Sequence, residues 1–145
     1  MSLLRFDPRL YQLTVQSILL LWGMLVLLFP VTVWHVVAVI SSALMVQWSC
    51  SRYFHLPVMY LSALNTSLST LLLLHAQQPL WLALAASLGI ASKFWVRLEG
   101  RHIFNPSNFG IVTMLALSNQ VWVAPGQWGH ELWLFLLVAG LGLIP

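Results

Sequence analysis

The sequence predicts an all-α, polytopic helical membrane fold of five to six transmembrane helices, and three observations lead to it. Only 6% of the 145 residues are charged and 60% are hydrophobic, and the mean hydropathy is +0.88; a water-exposed domain carries about 25% charged residues. Residues 10–51, 53–92 and 102–130 contain no Lys, Arg, Asp or Glu, and about 20 apolar residues suffice to cross a bilayer core. The basic residues stand at intervals that an even number of crossings separates, so a single membrane face can hold all six.

The first charge-free stretch is broken by Pro30, which predicts spans over 11–29 and 31–49. A polar connection from Ser49 to His55 leads to Pro57 and a third span over 57–75. The segment His75-Ala76-Gln77-Gln78-Pro79 makes the next turn, with Pro79 suited to the first turn of a helix over 79–97. Asn105-Pro106 reads as an N-cap followed by proline at the first helical position, opening a span over 106–123. Ala124-Pro125-Gly126-Gln127 is a turn, and a sixth apolar segment covers 128–144. The whole chain reads as one transmembrane domain. With this path Arg5, Arg9, Arg52, Lys93, Arg97 and Arg101 share one face. The bias of Lys and Arg toward the inner face makes it cytoplasmic, together with the N-terminus. Trp34, Trp48, Trp81, Trp95, Trp122, Trp128 and Trp133 fall near span ends, where indole rings prefer to sit, and Trp22 lies deeper.

The positive net charge therefore describes membrane orientation, and nucleic acid is not an expected partner. Cys50 is the only cysteine, so the chain has no internal disulfide and no thiol cluster for a metal. The five histidines, at 35, 55, 75, 102 and 130, fall at span ends and loops, with no two expected at one buried level as paired haem ligands. No Ser-His-Asp set, phosphate-cradling glycine loop or paired carboxylate points to a catalytic residue.

Three polar groups interrupt the apolar text. Lys93, Arg97 and Arg101 are spaced four apart, so a continuing helix places them on one face, as a headgroup-level anchor or an anion site. Asn105, Pro106, Asn108 and Gly110 start a helix. They serve as a cap with a small-residue packing contact, or as one wall of a ligand site where unpaired N–H groups and a glycine permit close approach. Ser62, Asn65, Thr66 and Ser69 form one helical stripe, which supplies interhelical hydrogen bonds or lines a pocket.

The run Gly100-Arg101-His102-Ile103-Phe104-Asn105-Pro106-Ser107-Asn108-Phe109-Gly110 resembles the NqrB/RnfD family. Asp7-Pro8-Arg9, Leu61-Ser62-Ala63-Leu64 and Ala124-Pro125-Gly126-Gln127-Trp128-Gly129 add to the likeness. These are membrane subunits of the sodium-pumping NADH:quinone reductase and of Rnf electron-transport complexes, and the likeness is greatest to the stand-alone, UnbU-like bacterial branch. It implies a multi-pass protein of the bacterial inner membrane that takes part in flavin-linked electron transport coupled to ion translocation, at most as one subunit of an oxidoreductase. It also implies a flavin (FMN or riboflavin) near Asn105, Pro106 and Gly110, and electron-transport subunits as partners. The chain lacks the Ser-Gly-Ala-Thr type motif that carries covalent FMN in the family, so that linkage is not carried over. Family members have two related halves and this chain resembles the first, which implies a half-bundle that pairs with a second chain, or a truncated product. A permease-like protein of secondary metabolism, lining a solute path with the same polar groups, is the rival expectation.

Overall fold

A computed structural model describes residues 8–98 and 101–124, with the backbone only at Leu98, Arg101 and His102. Five α-helices account for most of it: α1 (Pro8–Leu25), α2 (Val33–Tyr53), α3 (Tyr60–Leu73), α4 (Pro79–Trp95) and α5 (Pro106–Leu117). Two antiparallel ladders join β1 (His75–Ala76) to β4 (Val121–Trp122), and β2 (Arg97–Leu98) to β3 (Arg101–His102). The predicted sixth span at 128–144 lies outside the described residues.

The start and stop signals act locally. Pro79 and Pro106 sit in the first turns of α4 and α5, and Asn105 caps α5 by accepting the Ser107 N–H at 3.1 Å. Gln78, preceding Pro79, is extended (φ −108°, ψ 134°), as the proline ring requires. At the other end of α2, the Leu56 N–H returns to Ser51 O and the His55 N–H to Arg52 O, closing a Schellman turn. His55 takes the left-handed position of that turn, at φ 52°. Glycine fits this conformation without the Cβ penalty. His55→Gly is therefore expected to stabilise the protein by about 1 kcal/mol, seen as a raised unfolding midpoint in detergent; a lowered midpoint would show that the imidazole holds the turn.

The helices alternate in direction. Asn65 Nδ2 donates to Gln12 Oε1 (3.2 Å) and Gln16 Nε2 to Ser69 Oγ (2.9 Å), so α1 and α3 run parallel. Lys93, at the end of α4, reaches Ser62 at the start of α3, so that pair is antiparallel. Ser42 bonds Ala83 O, and Gln47 meets Lys93, so α2 and α4 are parallel. The cations Arg9, Lys93 and Arg97 consequently gather at one end, with Arg52, which lies over the Trp48 ring at 5.8 Å, a little over one turn past Gln47.

The opposite end is closed by packing. Gly23 has no side chain where the Phe29 ring folds back onto α1, and Phe29 meets the His75 ring edge-on at 5.7 Å. His35 and His75 are both buried at this end, which corrects the expectation that no two histidines share a buried level. His35 is committed to structure: Nδ1 pairs with Thr32 and Nε2 with Ala76 O.

Glycines let two of the helices come very close. A Cβ on Gly110 would overlap the Ala85 carbonyl oxygen, and one on Gly89 would overlap the Pro106 carbonyl oxygen. α4 and α5 thus meet backbone to backbone, as small residues permit. The apolar interior is centred on Val39, Leu71, Leu82 and Ile90, none of them exposed.

Two expectations about the elements are corrected. The helix at 79–97 ends at Trp95, and Arg97 and Arg101 lie on paired strands, so Lys93, Arg97 and Arg101 do not share a helix face. Arg97 contributes to the stop, since its Nε donates to Lys93 O at 2.7 Å and satisfies a carbonyl of the last turn. The span expected at 106–123 is a helix of 12 residues, about 18 Å long at 1.5 Å per residue. It halts where Ser118 turns extended and Ser118 Oγ accepts the Gln120 N–H, sending Val121–Trp122 back to pair with β1. Among the described residues one helix, Val33–Tyr53, is long and apolar enough to cross a membrane by itself; Pro79–Trp95 and Pro106–Leu117 are apolar but shorter.

Candidate functional site

The gathering of helix ends leaves a cavity of about 640 Å³ among the starts of α1, α3 and α5 and the ends of α2 and α4. Small-molecule sites have volumes of roughly 300–1,000 Å³.

Most residues that stood out in the sequence meet here. The stripe of α3 lines one wall with Ser62, Asn65, Thr66 and Ser69. The stripe also bonds between helices: Ser62 to Lys93, Asn65 to Gln12 and Ser69 to Gln16. Thr66 donates to Ser62 O within its own helix. Both readings of the stripe thus describe one surface. Lys93 and Arg97 also line the cavity, as do Asn105 and Pro106. Asn105 Oδ1 is occupied by the cap, accepting from Ser107 N and from Ser107 Oγ (2.8 Å).

Other expected site residues are not brought in. Gly110 is buried against Ala85 of α4, and Asn108 is exposed on α5; neither lines the cavity. The Arg101 side chain lies outside the described residues.

Sequence reasoning passed over Arg9, Gln12 and Gln47 as lining residues. A signal for the two glutamines was present, because an amide inside a charge-free apolar stretch needs a partner. Gln12 and Gln16 are one turn apart on α1 and face Asn65 and Ser69 one turn apart on α3, forming a two-rung amide–hydroxyl ladder. Gln47 is almost fully buried; its Nε2 donates to Ser51 Oγ at 3.0 Å and its Oε1 accepts from Lys93 Nζ at 3.5 Å.

The lining is polar and cationic, with aromatic rings among it. Phe94 and Phe104 supply rings, and Phe94 is stacked on Phe54 with centroids 5.8 Å apart. Two buried acceptors on the ladder, Asn65 Oδ1 and Gln16 Oε1, have no hydrogen-bond partner. Unpaired buried acceptors cost about 1–3 kcal/mol each; Asn65 lines the cavity, so a ligand donor can satisfy its Oδ1, whereas Gln16 does not line it. The described residues contain no group of three His, Cys, Asp or Glu arranged to hold a metal ion.

Comparison with the profiles of known families, with curated proteins and with solved structures finds no match for this chain.

Proposed function

We propose that this chain is a polytopic membrane protein that holds a flavin without a covalent link in the cavity at its cationic end, and serves flavin-linked electron transport with partner subunits or a second half-bundle. The observation that carries the reading is the cavity itself, in which the α3 stripe, Lys93, Arg97 and the Asn105-Pro106 cap converge from separate parts of the chain.

Support for the membrane setting comes from large apolar side chains on the outside combined with polar ones within. Leu25, Leu28, Trp34, Tyr53 and Leu117 are each at least three-quarters exposed, while Gln47, Ser51, Ser67 and Thr70 are buried. Monomers in water rarely leave such a large apolar surface bare. The buried hydroxyls satisfy themselves as lipid demands: Ser67 donates to Ala63 O and Thr70 to Thr66 O. The short helices α3 and α5 fit a bundle in which α2 is long enough to span by itself and each of them is continued by a strand of the β1–β4 ladder. In this setting the cationic end is the cytoplasmic one.

The residues present suit a flavin on three counts. Lys93 and Arg97 complement a phosphate or the electron-rich edge of a ring, Phe94 and Phe104 offer apolar contact to its faces, and Asn65 Oδ1 waits for an N–H or hydroxyl donor. A bound flavin supplies one- and two-electron carriage. The protein's part is to hold it. Asn65 and Gln12 fix one edge through their mutual hydrogen bond, and the Asn105 cap keeps the first turn of α5 facing the cavity. The permease reading has less support, because the far end of the bundle is filled by Phe29, His75 and Trp122.

The test is the chromophore. The full chain purified in mild detergent is expected to carry, or to take up when it is added, FMN or riboflavin that acid treatment releases intact. A protein that neither retains a flavin nor quenches the fluorescence of added flavin overturns the reading.

A further inference from the structure

Lys93 donates from Nζ to Ser62 Oγ at 2.8 Å and to Gln47 Oε1 at 3.5 Å. Both partners are neutral, and the second contact is at the limit of a hydrogen bond. An ammonium has three N–H donors, so these two contacts leave one for a ligand in the cavity that Lys93 lines. Arg97 uses its Nε on the Lys93 backbone carbonyl, which anchors the guanidinium at the end of α4, and its terminal nitrogens remain for other acceptors in the cavity that it lines with Lys93. Arg9 enters the same cavity from the start of α1. Like charges that line one cavity repel one another, and an anion among them reverses the sign. All three acidic residues of the chain, Asp7, Glu99 and Glu131, lie outside the described residues, and among the described residues no carboxylate lines this wall.

We infer that the Lys93–Arg97 wall is a recognition site for a phosphate monoester, with Lys93 as the principal contact and Arg97 as the second. This deepens the flavin reading and rests on the same cavity, but it makes its own demand: the ligand must present a terminal phosphate. Two sources share that chemistry, the phosphate of a soluble mononucleotide and the headgroup of a monoester lipid such as phosphatidic acid. Lysine meets a phosphate as a point charge and arginine as a planar fork, so the pair tolerates either.

The experiment measures binding of inorganic phosphate, FMN and riboflavin to the full chain in neutral detergent, and to the chain in nanodiscs with or without phosphatidic acid. Inorganic phosphate is expected to bind saturably and to compete with FMN but not with riboflavin. Lys93→Met, which keeps length and apolar bulk, is expected to weaken phosphate and FMN binding about tenfold or more, the weight of one charge-assisted hydrogen bond. Arg97→Gln, at an exposed position whose loss leaves the helices packed, is expected to weaken both in the same direction. Arg52→Gln removes a cation outside the cavity and is expected to leave binding unchanged.

Phosphatidic acid binding that depends on Lys93, with none for phosphate or FMN in detergent, assigns the site to a lipid monoester and upholds the inference. Riboflavin binding that Lys93→Met leaves intact, with no phosphate competition, overturns the inference and leaves the flavin reading standing. Lys93-dependent phosphate binding by a protein that takes up neither flavin upholds the inference and overturns the flavin reading. Absence of phosphate-monoester binding in every medium overturns the inference.

Discussion

Gly110→Leu is expected to detach α5 from α4 and to cost the fold about 3 kcal/mol or more, at the upper end of what overpacking does. The reason lies in what the new side chain would strike. A Cβ at this position overlaps the Ala85 carbonyl oxygen, part of a helix backbone that cannot rotate aside as a side chain would. Gly89, facing the Pro106 carbonyl, is the reciprocal half of the same contact. Even Gly110→Ala is expected to destabilise, although alanine in a helix interior is ordinarily favoured over glycine by about 0.5–1 kcal/mol. The measurement is thermal unfolding of the purified chain in detergent, with Asn108→Ala on the exposed face of α5 as the control. A Gly110→Leu protein with a wild-type midpoint would mean that the two helices do not meet here. The loss extends to the cavity, because α5 carries Pro106 and Ser107 into its lining and Asn105 caps it.

Gln47→Leu is expected to cost about 2 kcal/mol, since it removes a hydrogen bond to a charged group and one to a buried hydroxyl. Gln47 is 2% exposed and lies between Ser51 and Lys93. Leucine fills a similar volume, so the effect reports the lost polar contacts rather than a void. Gln47→Glu separates stability from binding. A carboxylate there still accepts from Lys93, and the Ser51 hydroxyl can turn to donate to it, so the unfolding midpoint is expected to stay near wild type. The same carboxylate neutralises the Lys93–Arg97 wall, and phosphate binding is expected to fall by about tenfold or more. A Glu variant that binds phosphate as well as wild type would remove Lys93 from the site.

Much of this architecture was legible in the order of residues. Pro79, Asn105 and Pro106 open helices where their backbone restrictions and capping chemistry place them, and the Ser62-Asn65-Thr66-Ser69 stripe faces inward as its spacing implies. These effects act within one or two turns. The end of α4 was not legible, because nothing in Lys93-Phe94-Trp95-Val96-Arg97 forbids another turn. The helix stops where Arg97 folds back on the Lys93 carbonyl and its backbone pairs with His102. Likewise Ser118-Asn119-Gln120 gave little sign that the chain would return to pair with His75-Ala76.

The sequence by itself determined that most of the described residues are helical, where α4 and α5 begin, and that the cations stand apart from the apolar runs. Periodicity, caps and prolines depend only on near neighbours, so one dimension holds that information. Tertiary structure alone decided which polar side chains share a space. It brought Gln12 to Asn65, Gln47 to Lys93, and Arg9 into the wall with Arg97. It also turned Gly110 to a neighbouring backbone instead of the cavity. Those choices follow from how closely helices pack and how buried amides find partners, and both depend on residues many turns away.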